Sequence, residues 1–140
     1  MVDFGNGSSY SIGDLRKIIE KLRAPGGCPW DIEQTHESIK NNLLEEAGET
    51  VEAIDEGDPE HLCEELGDVL LQIIFHSDIA EKSGDFSFDD VVDMVSRKLI
   101  RRHPHVFGYV KVGSVDDVLS NWEAIKREEK LQKLAGELKK

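Results

Sequence analysis

Apolar residues recur at helical spacing along most of the chain. Between Leu15 and Leu22, leucines and isoleucines lie three and four positions apart, which is the spacing of one helix face. No segment alternates long enough to predict a sheet, and only residues 106–112 favour an extended conformation. The pattern predicts five helices, over about residues 15–22, 35–56, 59–82, 89–103 and 115–134. We therefore expect an all-α helical bundle.

Capping and breaking residues set the expected helix boundaries. Ser11 or Asp14 can cap the first helix, because a short polar side chain accepts a hydrogen bond from the free N–H groups there. A Gly-Asp-Pro turn at 57–59 separates the second helix from the third. Pro104 ends the fourth helix, because proline disfavours the helical conformation in the residue before it.

The second predicted helix carries a row of glutamates on one side. These are Glu45, Glu46, Glu49 and Glu52, and the opposite side is apolar. Taken alone, this pattern is typical of an amphipathic helix with a solvated acidic face. The like charges three and four residues apart mildly oppose the helix, which hints that something neutralises them.

The third predicted helix changes this interpretation. It is apolar on nearly all sides, which predicts that most of it is buried. Asp68 nevertheless shares the direction of Phe75 and Ile79, and Glu65 and Gln72 project close to it. A buried carboxylate has to be paired, protonated or bound to a metal ion, so a salt bridge to a basic residue stays open as the alternative to a metal site.

The short turn makes the second and third helices antiparallel neighbours, so their acids can converge. Glu46, Glu49, Glu65 and Asp68 form the expected ligand set. Carboxylate oxygens suit Mg²⁺ or Mn²⁺ and do not suit zinc. Glu45, beside these ligands, is a candidate base for activating water, or a group of the outer shell.

Basic and aromatic residues near the C-terminus are candidate nucleotide contacts. Lys98 and Arg102 lean towards the core side of the fourth helix, where they would act as phosphate clamps or as plain salt-bridge partners. Trp122 and Lys126 are four residues apart in the last helix. A tryptophan at this spacing is more often a core residue than a stacking platform for a base.

Composition and charge narrow the class of partner. The 140 residues correspond to one domain, which we place at 1–140 with a polar tail at about 1–10. A net charge of -12 repels nucleic-acid backbones but tolerates a single nucleotide whose phosphates are neutralised by a cation. The two cysteines lack a disulfide pattern, and no apolar run is long enough for a signal peptide or a membrane span. We therefore expect a cytoplasmic protein without a membrane partner.

Several segments, taken together and in order, resemble the MazG nucleotide pyrophosphohydrolases. The segments LEEAGE at 44–49 and ELGD at 65–68 are similar to the E-E-x-x-E and E-x-x-D signature of that family. GCPWD at 27–31, QTH at 34–36 and RRHPHVF at 101–107 are also similar to it. The likeness extends from about Leu22 to Lys126.

The resemblance implies a four-helix-bundle-like domain with an additional N-terminal helix, usually dimeric, and a site between helices. It implies Mg²⁺-dependent cleavage of the α–β phosphoanhydride of nucleoside triphosphates, giving a nucleoside monophosphate and pyrophosphate. Carried over by motif, the metal ligands are Glu46, Glu49, Glu65 and Asp68, and the nucleotide contacts are Lys98, Arg102, Trp122 and Lys126. Many members carry two such domains, whereas this chain has the residues for one.

This hypothesis has three alternatives. An acidic module that binds a basic partner protein would show no effect of Mg²⁺ on its melting temperature. A di-iron bundle needs Glu-x-x-His on two helices, and only Glu33 with His36 fits, so the pattern disfavours it. A narrower substrate, such as one deoxynucleotide or a phosphoribosyl nucleotide, is compatible with a similar scaffold.

Overall fold

The computed structural model describes residues 9–138, and every regular element within this range is a helix. The polar tail expected at about 1–10 lies almost entirely outside the described residues. The helices are α1 (Ile12–Arg23), α2 (Pro29–Glu33), α3 (His36–Glu56), α4 (Pro59–Lys82), α5 (Phe88–Arg102), α6 (Pro104–Phe107) and α7 (Val115–Leu138). The all-α fold class is confirmed.

The first helix is longer than the apolar pattern predicts. Its N-terminus is capped by two reciprocal hydrogen bonds between Ser11 and Asp14. The Ser11 hydroxyl accepts a hydrogen bond from the Asp14 backbone N–H at 3.2 Å, and the Asp14 carboxylate accepts one from the Ser11 N–H at 2.9 Å. Both candidate caps therefore act together as a capping box, which satisfies two helix-terminal donors.

Helices α3 and α4 form an antiparallel hairpin whose ends match the prediction to within one residue. Thr35 caps α3, and Gly57 ends it in the left-handed conformation with φ 70°, which glycine adopts without a steric penalty. Asp58 then caps α4 by accepting hydrogen bonds from the N–H groups of Glu60 and His61. The two helices pack against each other along their length.

The sequence pattern does not predict two short helices. Residues 29–33 form α2, which begins at Pro29 in a loop rich in glycine and proline. Residues 104–107 form α6, so the expectation of an extended segment at 106–112 is wrong at its start, and no strand occurs in residues 9–138. A helix of one turn is too short to show an apolar period.

The chain divides into two units, Met1–Phe88 and Asp89–Lys140. The described part of the first unit packs α1 and α3 against α4 around an apolar core. This core consists of Ile19, Ile39, Ile74, Phe75, Ile79 and Phe88. Helix α4 is less buried than expected, since Leu66 is 52% exposed and Ile73 is 39% exposed.

A buried ion pair joins α1 to α4 beside this core. Arg23 is 8% exposed, and its Nε donates to Asp78 Oδ2 at 2.7 Å. Its Nη1 donates to the Asp31 backbone carbonyl, and its guanidinium lies 4.8 Å from the centre of the Phe75 ring. Arg23 therefore connects α1, α2 and α4.

The described part of the second unit contains most of α5 together with α6 and α7. Arg101 and Arg102 at the end of α5 both donate to the Glu129 carboxylate on α7. No helix of the described residues is long and apolar enough to cross a bilayer.

Candidate functional site

Three glutamates of the α3–α4 hairpin converge. Glu46 and Glu49 lie one turn apart on α3, and Glu65 faces them from α4. One carboxylate oxygen from each lies within 4.8 Å of the other two. The antiparallel turn at Gly57 therefore brings together three of the four predicted metal ligands.

The cluster contains acceptors that no donor among residues 9–138 satisfies. Glu46 Oε2 and Glu65 Oε2 are buried and accept no hydrogen bond. Burial, and then the neighbouring Glu49 carboxylate, raise the pKa of Glu46 to about 7. The same two causes raise the pKa of Glu65 above its ordinary value. Three carboxylates so close together, with two buried oxygens among them, favour a bound cation.

His61 orients one of these carboxylates. Its Nε2 lies 3.1 Å from Glu65 Oε1, and its Nδ1 lies 2.8 Å from Glu56 Oε2. The hydrogen bond with Glu56 is the main cause that raises the pKa of His61. His61 therefore holds Glu65 through Oε1 and leaves Oε2 without a donor among the described residues. The sequence showed His61 one turn before Glu65, but the contact with Glu56 crosses the turn and has no sequence pattern.

Asp68 lies near the cluster, and Glu45 adjoins it in sequence. Asp68 is half-buried, and its charge raises the pKa values of both Glu46 and Glu65. The buried acid of α4 is thus Glu65 rather than Asp68. Glu45 is exposed beside Glu46, where its carboxylate is accessible to water.

The residues present fit a divalent cation. Within residues 9–88, the ion pairs at the cluster involve His61 and no lysine or arginine, so the salt-bridge alternative gains no support there. The donors are carboxylate oxygens, the ligand class of Mg²⁺ and Mn²⁺. The cluster is therefore a candidate metal centre.

The predicted nucleotide contacts lie in the second unit, and three of the four have partners there. The Arg102 guanidinium lies 5.2 Å from the Trp122 ring centre, and its Nη2 lies 3.1 Å from Glu129 Oε1. Trp122 is half-buried, and His103 packs edge-on against its ring. Lys98 is exposed, as is Lys126, which lies 3.7 Å from Glu123 Oε1. Arg102 and Trp122 form one cation–π pair, while the two lysines remain accessible.

The arginine pair makes the Glu129 carboxyl strongly acidic, so the contribution of Glu129 to the stability of the fold depends on pH. Hydrogen bonds from Arg101 and Arg102 lower the pKa of Glu129 from its ordinary value of 4.5 to about 2. A lowered folded-state pKa stabilises the fold above pH ~4.5, and this stabilisation is lost as the pH falls towards 2. Glu129→Gln is therefore expected to lower the Tm by roughly 2–4 °C at pH 7 and by almost nothing near pH 2.

Melting curves of the wild type and the variant between pH 2 and pH 7 test this. Glu128→Gln is the matched control, because Glu128 accepts from Gln132 rather than from the arginines. A difference in Tm that does not change with pH would contradict the assignment.

Comparison with known proteins decides the family. Residues 34–107 match the model of the MazG nucleotide pyrophosphohydrolase domain, which is more than half of the 140 residues. The chain belongs to the MazG family. The matched segment contains the whole glutamate cluster, so this is the acidic centre of a MazG domain.

Individual relatives of the MazG domain agree with the family match. The chain is 54% identical over 121 residues to the uncharacterized protein YabN of Bacillus subtilis (strain 168), an alignment that covers 86% of this chain and 25% of YabN. It is 50% identical over 125 residues to the nucleoside triphosphate pyrophosphohydrolase/pyrophosphatase MazG of Thermotoga maritima, covering 89% of this chain and 48% of that protein. The chain thus spans half or less of the length of these relatives.

A solved structure supports the same fold. The crystal structure of a MazG-related protein from Thermotoga maritima superposes with a TM-score of 0.70 at 26% sequence identity. The match covers 83% of this chain and 99% of that one. The helical MazG fold is therefore found in a solved structure of comparable extent.

Proposed function

We propose that this chain is a Mg²⁺-dependent nucleoside triphosphate pyrophosphohydrolase. It cleaves the α–β phosphoanhydride and releases a nucleoside monophosphate and pyrophosphate. The observation that carries the proposal is the convergence of Glu46, Glu49 and Glu65 inside a MazG domain, with two buried oxygens that have no donor in the described part of the chain. The Thermotoga maritima relative bears the name of this activity.

The cation would be held by Glu46, Glu49 and Glu65, with Asp68 as a fourth ligand. When bound, Mg²⁺, or Mn²⁺ in its place, supplies charge neutralisation for the polyphosphate and acidifies the attacking water. His61 keeps the Glu65 carboxylate in position through its Oε1. These residues would bind the cation and orient the carboxylates around it. Without a cation, the raised pKa of about 7 makes the Glu46 carboxyl a weak acid.

Glu45 is the proposed base. It accepts a proton from a water molecule whose oxygen forms a bond to the α-phosphorus, while the bond from that phosphorus to the bridging oxygen breaks. Glu45 suits this role because it is exposed beside Glu46, outside the buried cluster. Pyrophosphate leaves with the bridging oxygen.

Lys98, Arg102, Trp122 and Lys126 are the proposed nucleotide contacts of the second unit. Exposed lysines attract phosphate oxygens as point charges, and the guanidinium of Arg102 has a planar set of donors that suits phosphate. Trp122 holds that guanidinium from one side. We further propose that residues 1–140 act as one domain, as a homodimer and in the cytoplasm.

Product analysis with and without Mg²⁺ tests the proposed reaction. Incubation with ribo- and deoxynucleoside triphosphates is expected to yield pyrophosphate rather than orthophosphate, and chelation by EDTA should stop the release. In H₂¹⁸O the heavy oxygen should enter the monophosphate, because water attacks the α-phosphorus. Orthophosphate as the first product, or label in pyrophosphate, would contradict the proposal.

The second candidate function is an acidic module that binds a basic protein, which the net charge of -12 favours. Thermal melting separates the two. A metal centre predicts that millimolar Mg²⁺ raises the Tm by mass action, whereas an acidic module predicts no effect beyond that of ionic strength. A sodium salt at equal ionic strength is the control.

A further inference from the structure

The groove between α3 and α4 changes in polarity from one helical turn to the next. Facing residues follow one antiparallel register. Each step of three or four residues towards the N-terminus of α3 matches an equal step towards the C-terminus of α4. The facing pairs are Glu49 with Glu65, Glu46 with Asp68, Asn42 with Gln72, and Ile39 with Phe75. The groove therefore passes from carboxylates through amides to apolar side chains.

A cavity of about 180 Å³ opens at the amide and apolar layers. Ile39 and Phe75 are buried at its apolar side, Trp30 of α2 lies at its exposed side, and Asn42 and Gln72 supply polar groups. This volume is below the size of a drug-sized pocket and suits a single planar ring system. An indole beside apolar side chains favours a flat aromatic ligand.

One of the residues that line this cavity, Gln72, has a side-chain oxygen without a partner among residues 9–138. Gln72 Oε1 is buried and accepts no hydrogen bond from the residues that the structure describes. Leaving a buried acceptor unsatisfied is costly, so a ligand that brings an N–H donor to this oxygen gains the interaction. A ligand that presents a carbonyl oxygen there would place two acceptors against each other.

The cavity lies one helical turn from the metal centre. Asn42 precedes Glu46 by four residues on α3, and Gln72 follows Asp68 by four on α4, a separation of about 6 Å along each helix. A nucleotide whose base occupies the cavity would direct its phosphates towards the carboxylates. The order of the groove thus matches the order of base and phosphates in a nucleotide.

We propose that this cavity is the base subsite of the proposed reaction, and that Gln72 makes it prefer bases with an exocyclic amino group over bases with a carbonyl at the same position. This inference rests on the proposed function, which it narrows to cytosine and adenine nucleotides. Gln72 is a specificity-determining residue that accepts a hydrogen bond from the amino group. Asn42 contributes a second amide to the same edge of the base.

The pair dCTP and dUTP tests this, because the two differ at the 4-position of the base and the N–H pattern next to it. The wild type is expected to favour dCTP in kcat/KM by about tenfold, the effect of one buried hydrogen bond. Gln72→Leu keeps the shape and removes the acceptor, so the preference should fall to about twofold or less through a higher KM for dCTP with kcat unchanged. Gln132→Leu, on α7, is the control and should keep the wild-type ratio.

Binding of dCMP and dUMP to the metal-free protein provides a readout that needs no turnover. Calorimetry or amide NMR shifts should show tighter binding of dCMP to the wild type, and loss of this difference in Gln72→Leu. Equal binding of the two monophosphates, or a dCTP preference that survives Gln72→Leu, would overturn the inference while leaving pyrophosphate release intact. Selective dCMP binding without pyrophosphate release from any triphosphate would overturn the proposed function and leave the base subsite standing.

Discussion

Glu49→Gln is expected to stop pyrophosphate release and, at the same time, to raise the Tm of the metal-free protein. Turnover should fall by about 10²–10³-fold or more, because a ligand to the cation is lost. The metal-free Tm should rise by roughly 2–4 °C, because one of three crowded negative charges is removed. Glu49 is a leading cause of the raised pKa values of both Glu46 and Glu65, so its neutralisation relieves both.

Two measurements check this pair of effects. Pyrophosphate release at saturating Mg²⁺ gives the loss of turnover, and melting curves with and without Mg²⁺ give the stability. The increase in Tm on adding Mg²⁺ should shrink in the variant. Glu52→Gln is the control, because Glu52 is exposed on the same helix and lies outside the cluster. If Glu49→Gln lowered the metal-free Tm, charge repulsion would not dominate the metal-free cluster; if the increase in Tm on adding Mg²⁺ stayed as large as in the wild type, Glu49 would not be a ligand.

Arg23→Gln is expected to destabilise the fold by about 3 kcal/mol, which lowers the Tm by roughly 6–12 °C. Its guanidinium is almost fully buried, so its removal leaves Asp78 and the Asp31 carbonyl short of a donor. The Phe75 ring also loses the group that covers it. Chemical denaturation of the metal-free protein measures this loss directly.

Lys82→Gln is the matched control for the same acid. Lys82 Nζ lies 2.7 Å from the same Asp78 Oδ2, but its side chain is 45% exposed. A solvated ion pair contributes less than about 1 kcal/mol. Similar losses in the two variants would show that burial of Arg23 adds nothing to its contribution.

The sequence predicts α3 and α4 well because both are long and the Gly-Asp-Pro turn separates them sharply. Helix α4 is predicted over its full length of Pro59–Lys82, since Asp58 marks its start and an apolar period continues through it. The single turns α2 and α6 are missed, because four or five residues hold no period. Their positions depend on contacts from elsewhere in the chain, such as the bond from Arg23 to the Asp31 carbonyl.

Helical spacing predicts which side of the helix each acidic side chain projects from, but it does not predict how deeply that side chain is buried. Spacing alone predicts that Asp68 points inward, and the structure finds Glu65 to be the buried acid. Depth depends on the neighbouring helix, which a single-helix pattern does not contain. Asn42 was missed for a related reason, since an asparagine beside a row of glutamates has no distinctive spacing until α4 places Gln72 opposite it.

The facing side chains of α3 and α4 make this hairpin intolerant of length changes within its helices, but not at the turn at Gly57. One residue inserted into α3 after Asn42 would rotate Glu46 and Glu49 by about 100° about the helix axis relative to Asn42. The acids would then no longer face the same side of the groove as the amide. Residues added at the turn itself would leave each helix face in phase, so we expect natural or engineered insertions to collect at 57–58 and to be absent from 42–49 and 65–72.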